Sequence, residues 1–69
     1  MSAIVLTNLG KTVAEGTQGR GPEFAILSML YEANGPADFE EVCDEINMDE
    51  EKASMVCRRL LAKGYIKEL

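Results

Sequence analysis

A chain of 69 residues has room for one domain with one small core, and at this length folding buries only about 60% of the surface that the unfolded chain exposes. Hydrophobic residues make up 46% of it, a globular rather than disordered composition, and no apolar run approaches the roughly 18 residues of a membrane-spanning helix. The net charge of −5 argues against indiscriminate adhesion to nucleic acid, so any such binding requires a local basic surface.

Met1-Ser2-Ala3-Ile4-Val5-Leu6 has neither the basic flank nor the long apolar stretch of a signal peptide, and a cytoplasmic location is expected. Ile4-Val5-Leu6 is a short β-prone run. Thr7 then suits the cap of a helix over about 8–15, with Leu9, Val13 and Ala14 available to pack inward and Gly10 expected to weaken it. Gly16 is placed as its left-handed stop. The stretch 16–21 holds three glycines but lacks the Lys-Ser or Lys-Thr pair of a Walker loop and the preceding strand of a dinucleotide fold. It is read as a linker from which Arg20 can reach a nucleic-acid backbone.

Pro22 suits the first turn of a second helix, whose wide apolar face runs through Phe24, Ile26, Leu27, Met29, Leu30 and Tyr31 before Asn34-Gly35 ends it. Asp38 is a candidate N-cap with Glu41 three positions on, and Phe39, Val42, Cys43 and Ile46 share one face of the helix that follows. Asn47-Met48 is a tight connection. Asp49 then caps a helix to about Lys63, with Ala53, Val56, Cys57, Leu60 and Leu61 as its inner stripe. Gly64 stops this helix, and 65–69 reads as a terminal strand able to pair with Ile4-Val5-Leu6.

Two cysteines without a histidine fall short of the four ligands of a structural zinc site, so no metal or other cofactor is expected. Both lie on apolar stripes and read as small buried thiols. Glu40, Glu41, Asp44 and Glu45 face outward as a solvated surface. Ser28 and Ser54 have no base in reach, and the chain is read as having no enzymatic activity.

Charge divides the second half of the chain. From 32 to 51 there are nine acidic residues and no basic one, whereas 52 to 69 holds five basic residues and one acidic. The run Ser54-Met55-Val56-Cys57-Arg58-Arg59-Leu60-Leu61-Ala62-Lys63-Gly64-Tyr65-Ile66, a helix ending in Lys-Gly-Tyr-Ile and entering a strand, resembles the winged helix-turn-helix domains of MarR-like and ArsR-like transcription regulators. The resemblance extends over 22–69. It implies a mainly α fold with a small β component: a three-helix core, a short N-terminal strand pairing a C-terminal strand, and a truncated wing. The whole chain forms one domain, in which 1–21 supplies the strand, short helix and Gly-rich loop and 22–69 the helix-turn-helix core.

By the same resemblance the helix 49–63 enters the major groove of double-stranded DNA, presenting Lys52, Ser54, Met55, Arg58 and Arg59, with Lys63 and Lys67 as backbone contacts. Two departures from the family pattern keep a second reading open. Glu50 and Glu51 would meet phosphates, and no return strand follows Leu69 to make a hairpin. The alternative is a protein-interaction module using its acidic helix or its basic one, and either reading allows a homodimer.

Overall fold

The computed structural model describes residues 2–16, 19 and 21–69, so the expectation for Arg20 lies outside the described residues. In chain order the elements are β1 (Ala3–Leu6), α1 (Asn8–Gly16), α2 (Pro22–Ala33), β2 (Ala37–Asp38), α3 (Phe39–Ile46), α4 (Glu50–Lys63) and β3 (Ile66–Glu68). The described residues are thus mainly helical, with a small antiparallel sheet, and no helix is long and apolar enough to cross a membrane.

The sheet has the order β2-β1-β3, which puts the first strand of the chain in the middle. On one side Ile4, Val5 and Leu6 face Glu68, Lys67 and Ile66; on the other Ala3 and Ile4 face Asp38 and Ala37. The pairing with the C-terminal strand was legible in the sequence. β2 was not, because a two-residue strand beside a proline carries no alternation to read. Bonds just beyond the ladders fasten both sides: the Phe39 amide donates to Ser2 O at 2.7 Å, the Leu69 amide to Ala3 O at 3.0 Å, and the Thr7 amide to Tyr65 O at 3.0 Å.

Period-2 alternation turns Ile4 and Leu6 into the core and leaves Ala3 and Val5 half-exposed. The helices cover the inner face. Ile26, Leu27 and Leu30 of α2, Phe39, Val42 and Cys43 of α3, and Ala53, Val56, Cys57 and Leu60 of α4 join Ile4, Leu6 and Ile66 in one cluster. Two positions expected inside are exposed: Leu9 is 51% exposed and Tyr31 41% exposed, while Leu61, Met29 and Ile46 are half-buried against the core. Tyr31 turns outward because its hydroxyl donates to Glu15 Oε2 at 2.8 Å, tying α2 to α1.

α1 is built around Gly10, whose cost in helix propensity is set against a close approach to Tyr65 that only glycine allows. Thr7 caps the helix, its Oγ1 accepting from the Gly10 amide at 3.0 Å and itself donating to Gly64 O. The cap therefore also holds the end of α4. Gly10 is the buried position of α1, and a Cβ there would stand 1.9 Å from the backbone oxygen of Tyr65. Gly16 is the last residue of the helix, one position earlier than a left-handed stop would be.

Asn34, Asn47 and Gly64 hold the left-handed conformation that ends α2, α3 and α4. Asn34 itself takes that role, not Gly35. Asp38 caps α3 through Glu40 N at 3.4 Å. Asp49 occupies the N-cap of α4 without a side-chain bond to it, its carbonyl accepting from Ala53 N at 2.8 Å.

Candidate functional site

α3 and α4 are joined by Asn47, Met48 and Asp49, a connection of the length found in helix-turn-helix pairs. With Ala53, Val56, Cys57 and Leu60 fixing the inner side of α4, the remaining half of its circumference faces solvent. Lys52, Met55, Arg58, Arg59 and Lys63 are exposed on it, and Ser54 is half-buried at its margin. The six helical residues singled out in the sequence therefore lie along this solvent-facing side, with Ser54 and Lys63 at its opposite edges.

Within that surface two arrays can be separated. Lys52, Arg59 and Lys63 lie within about 40° of one another around the axis at 3.6 residues per turn, making one basic stripe. This stripe flanks the start of α2: Lys63 Nζ pairs with Glu23 Oε1 at 2.8 Å, and Arg59 borders a shallow groove with Pro22, Glu23 and Phe24. The Lys63 ammonium also stands 5.9 Å from the centroid of the Tyr65 ring. Lys63 is thus engaged within the fold, through an exposed pair of the kind worth at most about 1 kcal/mol.

The outermost array is the ridge of Glu51, Met55 and Arg58, spaced four and three positions apart. Met55 is 57% exposed, and Ser54 stands one turn before Arg58. Arg58 makes no ion pair among the described residues. Lys67 is separate from both arrays: it pairs with Val5 and shares its orientation, on the sheet face turned away from the helices.

Acidic side chains border this surface. Glu50 and Glu51, both exposed, favour the positive end of the α4 dipole, and Glu40, Glu41, Asp44 and Glu45 make the outer side of α3 negative. Glu23 is the partner that sequence reasoning missed. Its pairing with Lys63 joins residues forty positions apart, and no local pattern announces it.

The two cysteines are free and buried, Cys43 on the inner side of α3 and Cys57 on that of α4, as their spacing suggested. Burial first, then the Cys43 and Glu68 charges, push the Cys57 thiol up to about 11 from 9.0; burial likewise raises Cys43. The fold thus favours the neutral thiol. Between about pH 9 and pH 11 the unfolded chain has lost the Cys57 proton while the native state retains it, so stability falls as pH rises through that window. Urea melts at pH 8 and pH 10.5 are expected to show the loss, and Cys57→Ala is expected to reduce it. Among the described residues no cluster of His, Cys, Asp and Glu is arranged to hold a metal ion. No family model matches the sequence, and no curated protein or solved structure is significantly similar to it.

Proposed function

We propose that the protein is a small DNA-binding protein of the winged helix-turn-helix type, a transcription regulator that contacts the major groove through α4. The observation that carries this reading is the solvent-facing half of α4, where Lys52, Ser54, Met55, Arg58 and Arg59 stand together after a three-residue turn. Arg58, on the outermost ridge, is suited to guanine edges or phosphate, Ser54 beside it to either, and Met55 to a thymine methyl. The β2-β1-β3 order supports the same architecture, since β1 takes the place beside β3 that the return strand of a wing would fill. Lys63 and Lys67 are backbone contacts in this reading, Lys63 having first to share its charge with Glu23. A homodimer would offer two copies of α4 to half-sites about 34 Å apart.

The test is an amide-resolved NMR titration with a mixed-sequence duplex at low and then higher salt, on the parent protein and on Arg58→Ala and Arg59→Ala. Shifts confined to α4 and reversed by salt are expected, with Arg58→Ala weakening binding by about 1–3 kcal/mol without altering the fold. Unchanged affinity in both variants would remove α4 as the contact surface.

A second reading rests on a specific observation. Glu51 shares the outermost ridge with Met55 and Arg58, a mixed charged and apolar surface suited to a protein partner, since Met and Arg are enriched at interfaces. Binding of a protein that survives Lys52→Ala and is lost in Met55→Ala would favour this second reading.

A further inference from the structure

The two ladders of β1 differ in extent. β3 accompanies the strand through Leu6, whereas β2 stops opposite Ile4. Main-chain groups alternate between the two sides of an antiparallel strand. Ala3 O and the Thr7 amide's partner lie on the β3 side, while Ser2 O takes its bond from Phe39 on the β2 side. The amide and carbonyl of Leu6 therefore point to the β2 side, beyond the end of β2, where no ladder partner exists among the described residues.

That place is a groove. Leu6, Leu30, Tyr31 and Gly35 line it, with exposed Lys11 and Glu15 of α1 on its margin, and its volume is about 380 Å³. The two charges are opposite in sign and one helical turn apart. Their spacing is close to the roughly 6.6 Å between alternate residues of a strand, whose side chains share a face. No ion pair joins Lys11 to Glu15 among the described residues.

We propose that this groove takes an extended peptide segment of a protein partner, added in line with β2 and pairing with Leu6 through one amide and one carbonyl. The segment carries an acidic and a basic residue two positions apart, set against Lys11 and Glu15, with a small apolar residue between them. Charge complementarity supplies the choice of partner, and the unpaired main chain of Leu6 supplies the register. The site is separate from the α4 surface and does not depend on its reading.

The probes are acetyl-Asp-Val-Lys-amide and acetyl-Lys-Val-Asp-amide, titrated into labelled protein at low salt. Shifts at Leu6, Asn34 and Gly35 are expected, with one order binding about tenfold better than the other. The double variant Lys11→Glu, Glu15→Lys is expected to exchange that preference, and Glu15→Gln, which keeps an acceptor for the Tyr31 hydroxyl, is expected only to weaken it. The better peptide N-methylated at valine is expected to lose about tenfold in affinity to the unaltered protein. Absence of shifts in the groove, equal binding of both orders, or indifference to N-methylation would each overturn the proposal.

Discussion

Gly10→Ala is expected to destabilise the protein by about 3 kcal/mol, a large part of what so small a domain has. Two effects oppose each other at this position. Alanine is the better helix former by about 1 kcal/mol, so at an open helical site the substitution would stabilise. Here the added Cβ would stand 1.9 Å from the Tyr65 oxygen and 2.8 Å from its carbonyl carbon. Those are backbone atoms, and they are anchored: the same oxygen accepts the Thr7 amide at 3.0 Å, and Tyr65 N is bonded to Leu60 O at 3.0 Å. Neither side can yield without breaking the junction between β1, α1 and β3, so the steric term wins. Thermal melts of the parent, Gly10→Ala and Gly16→Ala measure this. The Gly16 substitution meets open space and is expected to change stability little or raise it. If Gly10→Ala also melted at or above the parent temperature, the close approach of α1 to Tyr65 would be wrong.

Leu60→Ala is expected to cost roughly 2–5 kcal/mol. Leu60 is fully buried, 0% exposed, at the centre of the inner stripe of α4. Its cavity would be bounded by elements that are each held elsewhere, so little collapse can fill it. Met55→Ala, on the opposite side of the same helix, is expected to change stability by no more than about 0.5 kcal/mol. Comparing the two by urea denaturation tests the phase of α4 directly, and equal losses would overturn it. The same phase places Arg58 on the outside, so this pair of melts also bears on the proposed contact surface.

What the sequence revealed and what it hid follow a physical division. The helices at 22–33, 39–46 and 50–63 announce themselves through apolar spacing and stop residues, and the buried stripe of α4 with its exposed cations could be read in phase. α1 was harder. Its nine residues hold few apolar positions, and the role of Gly10 arises from contact with Tyr65, far along the chain. Leu9 was expected inside because it is apolar, yet the one buried place on α1 demands the absence of a side chain. The Glu23–Lys63 pair, β2 and the open stretch beside Leu6 likewise come from long-range proximity, which local periodicity does not encode.

The central position of β1 also governs the order in which the molecule can assemble. In synthesis β1 emerges before either of its partners, and until Ile66–Glu68 has been made the apolar strand Ala3–Leu6 has only the two-residue pairing with β2 available to it. The consecutive helices α2, α3 and α4 can pack on one another from near neighbours in sequence, but the pairing of β1 with β3 closes only by a long loop closure. Completion of the sheet is therefore gated by the return of β3 to the start of the chain, and a nascent chain halted before Ile66 would still leave the β3-facing edge of its middle strand open.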